Sequence, residues 1–344
     1  MQVVVSPKSI SASVSGNTIS ASLAASQSAG QPAATNQSVQ SVNGQVGNVV
    51  VPVTAWVPHK PPGVVWFASV LDSGSLSLSA RSTTGYVAVQ WWDGSVQAYG
   101  VGSTGQYIAA SKAVLAQSSI KQVFVWSCVS ATNATQSGSL TGFSCSSKKV
   151  FAISIDGCSS LLEVSCDSNQ LTSLNLTGCT ALQTISCHLN SLVELNVSDA
   201  TSLTSLYCQG NGLRGLDVTR NTALQILSCS TNQLTVLDLS QNSALTGLYC
   251  FGNQLATLDI RNKPALRNVN ASSNLIWSVR AAGVVASGVV GMNVMSNQLN
   301  AASLNSLYTD LAAVQSGVIY VSGNPGVAGD NPAIATAKGY TVNG

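Results

Sequence analysis

Charge is what this sequence has least of. Of its 344 residues, 8% are Asp, Glu, Lys or Arg, about a third of the share usual in globular domains. Glutamate occurs only as Glu163 and Glu194, and histidine only as His59 and His188. A net charge of +2 leaves no basic footprint for nucleic acid. The surface must be wetted by Ser, Thr, Asn, Gln and Gly, which suits an extracellular or particle-surface protein better than a cytosolic enzyme. No apolar run approaches the roughly 18 residues of a membrane helix, so no membrane insertion is expected. The opening MQVVVSPKSISASVSG lacks a basic segment followed by an apolar run, so no secretory signal peptide is expected there. Zinc-protease, nucleophile-elbow, P-loop and dinucleotide motifs are missing as well. The expectation is a non-enzymatic chain with no catalytic residue, no metal and no cofactor.

What is present is a repeat. Cys145, Cys166, Cys187, Cys208, Cys229 and Cys250 follow one another at intervals of 21 residues. Ala271, Val294 and Val321 take the later rungs. Three positions after the rung stand Asn169, Asn190, Asn211, Asn232, Asn253, Asn274, Asn297 and Asn324, with Lys148 in the first coil. Leucine recurs five before the rung (Leu161 to Leu266) and five after it (Leu171 to Leu255), and Val, Ile or Leu recurs two before it. An L-x-L follows, as in Leu174-Asn175-Leu176. Such a period marks a solenoid, in which each coil buries its apolar face only by stacking on its neighbours. The segment L-x-C is expected to form a short parallel strand, with strands of adjacent coils about 4.8 Å apart. Asn175, Asn196, Asp217, Asp238 and Asp259, between the two apolar residues of the second segment, should point outward.

The unit L-x-x-L-x-C-x-x-N-x-L resembles the leucine-rich repeat in its cysteine-containing form, over roughly residues 140–325. The resemblance implies a curved solenoid with a concave parallel sheet and the asparagines as ladder residues. In that setting the rung cysteines read as buried thiols. Disulfides between rungs are the second reading, although parallel side-chain vectors suit that bond poorly. Metal ligation is the third, although a straight ladder does not converge on a tetrahedral site. Cys158 and Cys179 form a shorter second column, expected to be semi-buried on the convex side.

The ends are different material. The segment ISASVSGNTISASL alternates apolar and small polar residues and suits short strands. Val42, Asn43, Gly44, Gly47 and Val49 resemble the V-N-G-x-x-G-x-V element of phage tail fibres, which implies a trimeric particle-attachment segment; an ordinary Asn-Gly hairpin is the alternative. Residues 52–127 read as a compact β domain, with a hairpin at Asp93-Gly94. At the other end, Leu304, Leu307, Tyr308, Leu311 and Val314 follow helical spacing, with Asn300 as N-cap and Gly317 as stop. A strand Val318 to Val321, a short helix and a final strand should close the solenoid. The expected fold is therefore mainly β: an attachment segment at 1–50, a small β domain at 51–128, the solenoid at 129–299 and a helix-containing cap at 300–344.

Function is expected on the concave face, at positions flanking each rung. The preceding column carries Tyr207 and Tyr249 among serines; the following one carries Asp167, His188, Gln209 and Phe251, with Glu163 nearby. Aromatic rings among small polar residues suit stacking on a glycan, unless Tyr and Phe merely support strand pairing. A Cys187–His188 dyad fails because neighbours on a strand face opposite ways. Glu163 and Asp167 leave a carboxylate pair open. The reading is a phage tail fibre or similar receptor-binding protein, located in the virion tail. It would contact other tail proteins through its N-terminal segment and a host-surface glycan or protein through the repeats, as a homotrimer. A bacterial leucine-rich-repeat adhesin, a head-decoration protein and a polysaccharide depolymerase are the alternatives.

Overall fold

A computed structural model describes residues 10–15, 18–23, 65–69, 74–82, 86–90, 96–100, 108–114, 121–128, 140–282 and 289–344. The element at 42–49, His59 and the Asp93-Gly94 turn lie outside the described residues. β1 (Ile10–Ser15) and β2 (Thr18–Leu23) pair as an antiparallel hairpin made of the two ISAS copies.

Among the described residues six strands then precede the repeats: β3 (Val65–Ser69), β4 (Gly74–Ser82), β5 (Tyr86–Gln90), β6 (Val96–Gly100), β7 (Ile108–Val114) and β8 (Lys121–Cys128). β5 and β6 are antiparallel, with Gln90 opposite Val96. The first coil contributes β9 (Leu140–Ser144) and β10 (Val150–Ser154), and each is used to join the two parts. β10 pairs with β3 in a five-stranded sheet ordered β10-β3-β8-β5-β6. β9 pairs antiparallel with β4, beyond which lies β7. Val65, Leu78, Ala80, Val87, Val89 and Ala110 share one core with the solenoid. The β domain thus covers the first apolar layer, which would otherwise meet water.

From β9 onward each coil adds one parallel strand: β11 (Glu163–Ser165), β12 (Thr184–Ser186), β13 (Ser205–Tyr207), β14 (Ile226–Ser228) and β15 (Gly247–Tyr249). Past the first coil, the second wall forms described strands at β16 (Thr257–Asp259) and β18 (Ser278–Arg280), between which β17 (Asn268–Asn270) continues the main sheet. β19 (Gly291–Asn293), β20 (Gly317–Tyr320) and β21 (Tyr340–Asn343) complete it. The strand proper is x-L-x, not the expected L-x-C. Its central Val164, Ile185, Leu206, Leu227 and Leu248 are fully buried and its flanks face outward. The cysteine sits just past the strand, where the backbone turns inward, yet its N–H still bonds the next coil, as Cys166 does to Ser186 O at 2.8 Å.

Two residues after each rung the backbone turns left-handed, at Ser147, Ser168, Leu189, Gly210, Thr231, Gly252, Ser273, Ser296 and Gly323. One residue later the asparagine closes the corner. Asn232 Nδ2 donates to Cys208 O and Cys229 O at 3.1 and 3.0 Å, and its Oδ1 accepts Leu213 N–H at 3.0 Å. The same three contacts recur from Asn190 to Asn274, which is how a buried turn leaves no backbone group unpaired. The outward column also closes turns: Asn175, Asn196, Asp217, Asp238 and Asp259 each accept the N–H two residues on.

Cys158 and Cys179 are fully buried rather than semi-buried. They occupy an inner corner of the coil, and Cys179 Sγ donates to Ile155 O of the coil before it. Their column continues as Ala200, Asn221, Asn242 and Lys263, all buried, so the corner opposite the sheet holds a second asparagine ladder. The cap begins with α1 (Ala301–Asp310), whose N-cap Asn300 Oδ1 accepts Ser303 N–H at 2.8 Å. The helix does not run to Gly317. Leu311 is already extended, and Gly317 opens β20, where a Cβ would meet the Tyr340 ring at 2.6 Å. α2 (Ala333–Thr336) and β21 end the chain. No helix among the described residues is long and apolar enough to cross a membrane.

Candidate functional site

Parallel pairing without slippage puts the residue before each rung into one straight row across the concave sheet. The row reads Ser144, Ser165, Ser186, Tyr207, Ser228, Tyr249, Asn270, Asn293 and Tyr320. Ser79 of β4 extends it onto the β domain. Steps are about 4.8 Å. The backbone beneath is committed to the sheet, so this face presents only side chains outward. The row has a hydroxyl end and an aromatic and amide end.

At the hydroxyl end Asp167 is the hub. Its Oδ1 accepts from Ser146 Oγ at 2.6 Å and Ser165 Oγ at 2.8 Å. Burial pushes this carboxyl up, but the two hydroxyls and the neighbouring imidazole outweigh it and hold the group below the usual carboxylate range. His188 meets Ser186 Oγ through Nδ1 at 3.0 Å, and its Nε2 lies 3.8 Å from Asp167 Oδ2. A serine, an imidazole and a carboxylate in one patch invite a nucleophilic reading. An acyl-transfer site also needs free N–H groups for the oxyanion. Here the amides of Cys166, Ser168, Cys187 and Leu189 all bond the adjacent coil. The carboxylate pair left open by the sequence is also pulled apart in role. Glu163 is engaged by Arg81 of β4 at 3.0 Å and ties the β domain to the first coils. Asp167 is held ionised, the opposite of what a glycosidase proton donor requires.

Cys187 itself faces the core, and all six rung cysteines are free and buried. Burial, with the next thiol of the ladder adding to it, pushes the Cys187 thiol well up; burial takes Cys250 to about 12. The ladder is scaffold. In the middle of the sheet, Gln209 Oε1 and Ser230 Oγ are buried without a hydrogen-bond partner, while Phe251 stands exposed beside Tyr249.

The aromatic end forms a shallow trough of about 190 Å³, lined by Tyr249, Asn268, Val269, Asn270, Gly291, Met292, Asn293 and Tyr320. Two registers build it. Tyr249, Asn270, Asn293 and Tyr320 face one another along the row, and Gly247, Asn268 and Gly291 lie beside it. The glycines make the depression. A Cβ at Gly247 would stand 3.2 Å from Tyr249 Cε2, so the ring reclines over the bare backbone. Asn270 Oδ1 accepts Ser272 N–H and Oγ–H, and Asn293 Oδ1 accepts Met295 N–H. Their Nδ2 groups are thereby left over as donors.

With coil, ladders and concave sheet in place, the architecture is decided. It is a leucine-rich-repeat solenoid with a cysteine ladder. No protein-family model matches the sequence, and neither does any curated protein. Among solved structures the solenoid is similar to the functional domain of InlJ from Listeria monocytogenes, described as including a cysteine ladder (22% identity, 61% of this chain and 56% of that one, TM-score 0.43). It is also similar to an internalin, InlF, from the same organism (19%, 55% and 56%, TM-score 0.48) and to a leucine-rich-repeat protein of Leptospira interrogans (17%, 54% and 55%, TM-score 0.41). The chain spans little more than half the length of these proteins.

Of the seven residues expected to bind ligand, the solenoid brings Asp167 and His188 together and diverts Glu163 to Arg81. Tyr207 and Tyr249 lie on one row two strands apart, but only Tyr249 lines the trough. Asn268, Asn293, Gly291 and Tyr320 were not expected there. Asn270 follows Tyr249 at the regular 21-residue spacing of that column, and Asn293 and Tyr320 continue it at spacings of 23 and 27 residues. Following rungs rather than a fixed period would have found them.

Proposed function

We propose that this chain is a non-enzymatic recognition module that binds a receptor on a cell surface through its concave sheet. The carrying observation is the row from Ser144 to Tyr320: a rigid file of hydroxyls, amides and rings over a backbone already spent in the ladder. Such a face is pre-ordered, so binding costs little conformational entropy. The test is competition. Purified protein should block adsorption to receptive cells; the concave pair Ser186→Arg and Ser228→Arg should abolish the block, and Gln241→Arg, exposed on the far side of the coil, should not. Equal loss from both variants would move the site off the sheet.

The carrier we favour is a phage tail fibre or related receptor-binding virion protein. What supports it is the resemblance of residues 42–49 to the tail-fibre element and the near absence of surface charge. In that setting the N-terminal segment joins other tail proteins, three chains form the fibre, and weak sites gain by multivalency. Mass spectrometry of purified particles should find the chain in multiples of three copies; its absence from them would leave the bacterial surface adhesin as the carrier.

A further inference from the structure

Resting on that reading only for its premise that the sheet binds through its side chains, we propose that the trough between Tyr249 and Tyr320 is a subsite for a neutral saccharide. Four observations combine. First, the trough has an aromatic residue at each end and two amides between them, all in one register row. Three strand steps separate the tyrosines, about 14 Å. That span is long enough for two pyranose rings laid along the row. Second, the donors are pre-aimed. The Asn270 and Asn293 carbonyl oxygens are tied to their own turns, so the amide nitrogens are what remains for sugar hydroxyls. Asn268, one row over, makes no side-chain hydrogen bond within the described residues and offers both amide ends. Third, no lining residue is charged. An acidic or sulfated sugar would find no counter-charge, and an amine no carboxylate.

Fourth, the floor is bare. Gly291 has Asn268 Oδ1 3.1 Å from where its Cβ would be, so any side chain there would displace the amide and fill the depression. A flat ligand fits such a floor, and a protruding peptide side chain does not. Protein hot spots want deep, desolvated pockets, whereas Val269 and Met292 beneath this trough are already buried. Tyrosine suits the alternative well, with an apolar face for the C–H side of a sugar and a hydroxyl at its rim.

The test uses maltose, cellobiose and lactose as neutral probes and a chondroitin sulfate disaccharide as the charged one, read by saturation-transfer NMR and titration calorimetry on the full chain. At least one neutral disaccharide should bind, weakly, and the charged one should not. Tyr249→Ala and Tyr320→Ala should each lower affinity about tenfold, the size of one lost aromatic contact. Gly291→Val should abolish binding, and Gln241→Ala, on the far side of the coil, should leave it unchanged. Circular dichroism of each variant separates unfolding from loss of the site. Binding of none of the neutral probes, or wild-type affinity in both Tyr249→Ala and Tyr320→Ala, overturns the proposal. If these variants still lose cell adsorption, the concave face recognises a protein and only the saccharide assignment falls. If disaccharides bind but the protein never blocks adsorption, the subsite stands and the receptor-binding reading falls.

Discussion

Replacing Asn232 by alanine should be among the most damaging single changes in the solenoid, and its cost can be worked bond by bond. Asn232 lies in the middle of the repeat and is almost fully buried. Its Nδ2 shares Cys208 O with Asn211 and Cys229 O with Asn253, so each carbonyl keeps one partner in Asn232→Ala. Leu213 N–H is different: its acceptor is Asn232 Oδ1 at 3.0 Å, and the variant leaves it buried and unpaired. An orphaned buried donor costs about 1–3 kcal/mol, and each weakened carbonyl about 0.5–1.5. The expected loss is about 2–6 kcal/mol, against well under about 1 kcal/mol for Gln241→Ala on the exposed surface.

Asn232→Asp sharpens the test. The carboxylate still accepts from Leu213, but it faces Cys208 O and Cys229 O where two donors stood. The folded state therefore favours the protonated acid, and its folded pKa rises above the unfolded value of about 3.9. Between those two values the folded chain binds the extra proton. Stability relative to wild type is then greatest below about pH 4 and falls as pH rises through the raised pKa. Urea unfolding followed by circular dichroism at pH 4 and pH 7, with hydrogen exchange at Leu213, measures both effects. A loss under about 1 kcal/mol for Asn232→Ala, or a pH-independent Asn232→Asp, refutes the reasoning.

Leu189 adopts φ +53 while more than half exposed, a left-handed conformation that disfavours a branched apolar side chain. Leu189→Asn should raise stability by about 0.5–1 kcal/mol, since Asn tolerates that region; a lower melting temperature would contradict this. The six rung cysteines should resist iodoacetamide in the native state and react after unfolding; native labelling of any of them would place that rung outside the core. Gly326→Ala would put a Cβ 2.1 Å from Asn300 C, at the backbone entry to α1. Backbone cannot yield as a side chain can, so the cap should loosen by several kcal/mol (about 3 or more) and be cleaved first by protease after residue 300; wild-type proteolysis would show that the corner adjusts.

What the sequence made legible was whatever repeats. Leu206, Leu227 and Leu248 occupy equivalent places because identical packing is required in every coil, and the asparagines recur because every coil must close the same corner. Junctions obey no period. Nothing in Val150–Ser154 announces that β10 will pair with β3, some 80 residues earlier, or that Arg81 will take Glu163. The helix stop was misplaced because apolar spacing continues to Val314 after the backbone has left the helix at Leu311. A binding site is a junction of the same kind: a ligand touches the solenoid at one place, so the residues that serve it have no reason to repeat. The column three before the rung shows this, passing from Glu163, Thr184, Ser205 and Ile226 to Gly247, Asn268 and Gly291. Two glycines in a strand lower β propensity and gain nothing in packing. They stand where the Tyr249 ring and the Asn268 amide come closest to the backbone, and Gly291 leaves open the floor that the proposed saccharide subsite requires.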